Sequence, residues 1–176
     1  MSEESTIRTF RLDAEVIRGL EEEASRQGAT VNGIACRILR RYVKIRAKLD
    51  PFGILFMTRT AMMEIIGALD DDGIEKVAGR LGGTLAKEMV AQIYGEPSSA
   101  NFFTFLDQTL CGFMGWATYT EEMKDKYREV RLGHTMGEKW STFLRSYLDS
   151  AAKSITGTRL DFRYVSNYSI IVHIPK

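Results

Sequence analysis

The chain has 176 residues, 44% of them hydrophobic and 27% charged, and its 24 Lys and Arg against 23 Asp and Glu leave a formal charge of +1. It contains no internal repeat, low-complexity tract, signal peptide or apolar run of eighteen residues, so a soluble, cytoplasmic protein with no membrane association is expected. Two cysteines, Cys36 and Cys111, offer no disulfide framework and are expected to be buried, reduced thiols.

The first four dozen residues carry the clearest pattern. Ser2-Glu3-Glu4-Ser5 reads as an acidic, disordered arm that shields the adjoining segment in the absence of a ligand. Between Ile7 and Leu12, Phe10 and Leu12 fall on one face while Ile7, Thr9 and Arg11 fall on the other, the period of a half-buried strand. Asp13 is placed as an N-cap, with Glu15 at the positive end of the next helix. That helix, Ala14 to Gln27, aligns Val16, Ile17, Leu20 and Ala24 as a buried face, and Gly28 ends it in a left-handed conformation. Thr30 caps a second helix, Thr30 to Lys48. Its apolar residues Val31, Ile34, Ala35, Ile38, Leu39, Tyr42 and Val43 follow the i, i+3, i+4, i+7 series. The other face carries Arg37, Arg40, Arg41, Lys44, Arg46 and Lys48, without an acid between positions 37 and 48. Residues 1 to 48 hold ten Lys and Arg against seven Asp and Glu, so the basic excess of the chain lies here.

One short strand and two helices bury too little apolar surface to stand alone. Two copies solve this by pairing their strands into an antiparallel ribbon over a shared helical core. The strand Thr9-Phe10-Arg11-Leu12, the turn residue Gly28 and Thr30-Val31-Asn32 at the start of the second helix resemble the ribbon-helix-helix family, the fold of the Arc and Met repressors. The resemblance covers about the first quarter of the chain. It implies a homodimer on double-stranded DNA, with the outward ribbon residues Ile7, Thr9 and Arg11 at base edges in the major groove. Arg11 would bond guanine bidentately, Thr9 would donate, accept or meet a thymine methyl, and Ile7 would supply only apolar contact. It also implies that Thr30, Val31 and Asn32 clamp a backbone phosphate, and the basic face, through Arg37, Arg41 and Lys44, adds phosphate contacts without sequence information.

Asp50-Pro51-Phe52-Gly53 breaks the second helix, which suggests a module at 1–48, a linker at 49–57 and a second domain at 58–176. The second domain opens with an extended piece, Gly53 to Met57, and a helix from Thr58 to Leu69. Asp70-Asp71-Asp72-Gly73 ends that helix and signals the next, Ile74 to Tyr94, in which Gly79, Gly82 and Gly83 allow close packing or a bend. A third helix, Ser99 to Gly112, gathers Phe102, Phe103, Phe105, Leu106, Leu110 and Phe113 on an apolar face that serves as core or lines a small-molecule site. Strands come next at Trp116 to Tyr119 and Tyr127 to Leu132, then a helix from Met136 to Lys153, then a hairpin of Thr158 to Val165 and Tyr168 to Ile174. The fold class is α+β, a ribbon-helix-helix module followed by a helical cluster and a small antiparallel sheet packed on a helix.

The densest polar cluster of the second domain is Gly133-His134-Thr135-Met136-Gly137-Glu138-Lys139-Trp140. His134, Glu138 and Lys139 could form an acid–base or anion site, but Thr135 and Glu138 have the spacing of a capping box, with Trp140 and Phe143 packing on the sheet. His134, His173 and Cys111 lack metal-ligand spacing, no nucleophile is set beside a histidine by a recognisable motif, and Gly79 to Gly83 lacks the lysine of a phosphate loop. No catalytic residue, metal or cofactor is therefore expected. The sequence reads as a dimeric, sequence-specific DNA-binding transcriptional regulator, repressor or activator, its second domain oligomerising or sensing a small-molecule effector. An antitoxin-like protein whose C-terminal part grips a protein partner, and an enzyme that dimerises through the ribbon, are the two alternatives.

Overall fold

The computed structural model describes residues 6–175, and the chain divides into two compact units between Lys44 and Ile45. The acidic arm from Ser2 to Ser5 lies outside the described residues.

In the first unit, residues 6–13 form neither helix nor sheet within the single chain. Helix α1 spans Ala14–Gln27 and α2 spans Val31–Arg41. Asp13 stands at the N-cap of α1 in extended conformation, but its side chain makes no capping bond; only its carbonyl accepts, from Ile17 N at 3.1 Å. Gly28 closes α1 at φ +60, where a side chain would be strained, and Ala29 N returns to Ala24 O at 2.9 Å. Thr30 Oγ1 accepts from Gly33 N at 3.0 Å and so caps α2. The regular helix expected to run to Lys48 stops at Arg41, where a π turn takes over Tyr42–Arg46 before α3, Ala47–Leu49.

Burial in this unit departs from the sequence expectation. Among its described residues only Ala24 and Ile34 are buried, while Phe10, Leu12, Val16, Ile38, Leu39, Tyr42 and Val43 are exposed. The two helices fully bury one small residue and one isoleucine between them and half-bury Ile17, Leu20, Val31 and Ala35, which leaves the larger part of the apolar face exposed.

The second unit has a full core. Leu49, placed by sequence in a linker, is completely buried there, and Phe52 and Ile54 pack beside it. A 3-10 turn at Asp50–Phe52 ends at Gly53, φ +61. Four helices come next: α4 Arg59–Gly67, α5 Asp71–Gly83, α6 Leu85–Tyr94 and α7 Ser99–Thr104. Thr58, Asp70 and Ser98 cap α4, α5 and α7 through Ala61 N, Gly73 N and Asn101 N. The helix expected at 74–94 is thus two, broken at Thr84 directly after the Gly82-Gly83 pair. The aromatic helix expected at 99–112 becomes a π turn from Phe105 to Cys111.

Strands β1 Thr118–Met123 and β2 Tyr127–Gly133 precede α8 Gly137–Thr156, and β3 Asp161–Val165 and β4 Ser169–Pro175 come after it. The sheet is antiparallel throughout, in the order β1-β2-β4-β3, with Val130 opposite Val172 and Leu132 opposite Ile170. These four residues are buried in the same core as α8.

Helix α8 organises the unit. It contacts α4, α5, α6, α7 and β4, and buries Trp140, Phe143, Leu144, Tyr147, Leu148, Ala151, Ala152 and Ile155. Its closest neighbour is α5, where a Cβ at Gly82 would sit 2.2 Å from the Tyr147 carbonyl oxygen. Only a residue without a side chain allows that approach. Ser154 Oγ donates to Gly83 O at 2.7 Å, and Lys139 Nζ donates to Gly67 O at 2.6 Å and Leu69 O at 2.5 Å, satisfying carbonyls at the end of α4.

Candidate nucleic-acid interface

The residues singled out for DNA lie along the first unit. Ile7, Thr9 and Arg11 are all exposed in the segment before α1, where Phe10 is 69% exposed beside them. At the start of α2, Ile34 N bonding Thr30 O at 3.0 Å is the first backbone turn and Gly33 N is taken by the Thr30 side chain. The amides of Val31 and Asn32 precede these bonds, so they point out of the helix N-terminus, where an anion is favoured. The Thr30 hydroxyl accepts from Gly33 and keeps its own proton to donate. Thr30 and Asn32 are exposed and Val31 half-buried, which leaves this end of the helix accessible.

The cations are less uniform than their spacing suggested. Arg37 donates to Gln27 Oε1, tying α2 back to the end of α1. Gln27 in turn donates to Glu23, which also pairs with Arg26 at 2.7 Å. The Arg26 hydrogen bond, followed by that of Gln27 and the nearby guanidinium charges, holds the Glu23 carboxyl below its usual value. The Glu23 contacts have the i+3 and i+4 spacing of helix neighbours, whereas the bond from Gln27 to Arg37 joins two helices and leaves no trace in local spacing. Arg41 is exposed at the end of α2 and Lys44 is exposed inside the π turn. The wider winding of that turn, rather than a regular helical period, sets the direction of Lys44.

No protein-family model and no curated protein matches the sequence.

The competing polar cluster of the second unit is arranged structurally. Thr135 does not cap α8 and Glu138 is exposed; the N-cap position is Met136, without a side-chain capping bond. His134 takes the role expected of the capping box. Its Nδ1 accepts from Met136 N at 3.3 Å and its Nε2 lies 2.9 Å from Ser141 Oγ. Ser141 spends its proton on Ser166 O at 2.5 Å, so Nε2 must be the donor and the ring is neutral. Burial lowers the His134 pKa in the same sense. Trp140 Nε1 donates to Trp116 O at 3.1 Å, and the Lys139 ammonium is held by the α4 carbonyls.

His173 stacks on Tyr127 at 3.9 Å and meets Glu129 at 3.1 Å. Among the described residues no group of three His, Cys, Asp or Glu could hold a metal. Cys111 is half-buried, and burial reinforced by Asp107 pushes its thiol up to about 12. It stays protonated at neutral pH and is a poor nucleophile. Cys36, expected to be buried, is exposed on α2, with Sγ 3.7 Å from Asn32 Oδ1.

Proposed function

We propose that the chain is a sequence-specific, DNA-binding transcriptional regulator that acts as a homodimer in the cytoplasm. The observation that carries this reading is the uncovered apolar surface of the first unit, Phe10, Leu12, Val16, Ile38, Leu39, Tyr42 and Val43, in a unit that fully buries only Ala24 and Ile34 among its described residues. Fully covering one such side chain contributes about 1.5–3 kcal/mol. A second copy sharing this face therefore offsets an association cost of roughly 4–15 kcal/mol. Pairing residues 6–13 of two copies supplies the ribbon that a single chain cannot form.

In that dimer Ile7, Thr9 and Arg11 face the major groove, with Arg11 the principal reader of guanine. Thr30, Val31 and Asn32 hold a phosphate at the start of α2, supported by Arg37, Arg41 and Lys44. Arg37 must give up Gln27 to take part. The second unit senses a signal or oligomerises. No helix among the described residues is long and apolar enough to cross a membrane.

The test is the affinity of the full-length protein and its Arg11→Ala variant for the promoter region of its own gene and for scrambled DNA, across a salt series. With two or three cations from each chain at phosphates, the slope of log K against log salt is about −4 to −5. Arg11→Ala costs about 1–3 kcal/mol on the specific site and flattens the preference. Absence of DNA binding at low salt would make the first unit a dimerisation device alone.

A further inference from the structure

The second unit contains a cavity of about 320 Å³ with mainly apolar walls. It lies among the 53–58 segment, the start of α4, the α5–α6 junction, the end of the π turn at Leu110 and the Trp140 and Tyr147 side of α8. The size is at the lower end of the roughly 300–1,000 Å³ of small-molecule sites. Five of the chain's eight methionines line it, Met57, Met62, Met89, Met114 and Met136, and such unbranched thioether chains adapt to the shape of what they enclose.

Several polar side chains of the wall have partners within the protein. Trp140 Nε1 is satisfied by Trp116 O, and Thr58 Oγ1 accepts from Ala61 N. Arg59, the one charged residue of the lining, is exposed at the rim. Tyr147 is 2% exposed, and its hydroxyl has no hydrogen-bond partner among the described residues. No fully enclosed side-chain oxygen or nitrogen among them lacks a partner, so the Tyr147 oxygen borders open space, and the space Tyr147 lines is this cavity. Burial raises the Tyr147 pKa, so the group is a neutral phenol that can donate or accept.

We propose that the cavity binds one small, uncharged, mainly apolar molecule bearing a hydroxyl or carbonyl, whose oxygen hydrogen-bonds the Tyr147 hydroxyl. Leu55 and Phe56, 79% and 71% exposed, stand at the opening and gain cover when it is filled. Phe56 is steadied from the side by Phe113, ring centres 6.3 Å apart, and by the Arg46 guanidinium at 5.7 Å. The site belongs to the second unit and does not rest on the DNA-binding reading.

Trp116 and Trp140, the two tryptophans of the chain, both line the cavity and report its filling. The full-length protein is titrated with 1-octanol and with octanoate, reading tryptophan emission and melting temperature. Octanol is expected to give a saturable change at one site per chain, and octanoate, with the same tail and a charged head, a weaker one. Tyr147→Phe should weaken octanol about fivefold while leaving the melting temperature of the free protein unchanged or higher, because the hydroxyl it removes has no partner. Met62→Phe, which fills the cavity from its partly exposed side, should remove the response in a protein whose circular dichroism and melting are preserved. The proposal is overturned by any of three results: no saturable response in the wild type up to the solubility of octanol, equal affinity in wild type and both variants, or tighter binding of octanoate than of octanol.

Discussion

Gly82→Ala tests the packing of α5 on α8, because the structure gives the contact a direction and a size. The added Cβ would meet the Tyr147 carbonyl oxygen at 2.2 Å and its carbonyl carbon at 3.0 Å. Both atoms are backbone in the middle of a 20-residue helix, so no rotamer change relieves the clash. The helices must separate by roughly 1 Å to restore ordinary contact, thinning the dispersion contacts along both. Overpacking of this kind costs about 1–3 kcal/mol, and the upper end applies where the obstacle is rigid. Replacing glycine by alanine in a helix returns up to about 1 kcal/mol. The net expectation is a loss of about 2 kcal/mol, which for a chain of this size lowers Tm by about 4–8 °C. Gly83→Ala is the internal control, since nothing lies within 4 Å of its added Cβ. It keeps the carbonyl that Ser154 uses and should stabilise by about 0.5 kcal/mol. Thermal unfolding of both variants decides the matter. If Gly82→Ala melts at or above the wild-type temperature, as Gly83→Ala should, the close approach of α5 to α8 is refuted.

Thr30→Ala removes the acceptor of Gly33 N and should cost the first unit about 1 kcal/mol while weakening specific and scrambled DNA equally; a changed base preference would show that α2 is misplaced on the duplex. Phe10→Asp should abolish both dimerisation through the first unit and DNA binding, as read by sedimentation and by gel shift, and a folded variant that still binds DNA would rule out Phe10 as an interface residue. His134 gives a pH signature. Its folded pKa lies below the usual 6.5, so the unfolded state binds more protons as pH falls through that value, and stability should decline from about pH 6.5 downward. His134→Asn should flatten that decline in melting temperature against pH, and parallel curves for the two proteins would assign the acid sensitivity to other groups.

Much of the second unit was legible because its signals are local. Thr58 and Asp70 stand where a helix was expected to start, and Gly53 stands where φ turns positive. Other features were hidden for definite reasons. The residues of the π turn at Tyr42–Arg46 satisfy the α-helical spacing equally well, so periodicity could not separate the two windings. Gly79, Gly82 and Gly83 announced a bend or a close contact. Both occur, but the partner, Tyr147, is remote in sequence. Thr135 and Glu138 have capping-box spacing, yet the His134 ring takes the Met136 amide because β2 places it there. In the candidate DNA interface, Thr30 was readable from its position after Gly28, whereas the Gln27 hold on Arg37 depends on how two helices meet. The cavity was foreshadowed only by the aromatic face near 99–113, since its walls come from segments scattered from Gly53 to Tyr147.

The order β1-β2-β4-β3 leaves β1 and β3 as the two margins of the sheet. On β1 stand Glu121 and Glu122, with Lys124 just beyond, and on β3 the register slips between Phe162 and Tyr164 beside an Asp161–Arg163 ion pair of 2.6 Å. Charge on one margin and an irregular ladder on the other are the features by which sheets refuse an incoming strand. A first unit that gathers copies, as proposed above, would bring these sheets to high local concentration, where an open margin would seed filaments. The second unit is built to tolerate that crowding, because growth by strand addition is discouraged at both sides of its sheet.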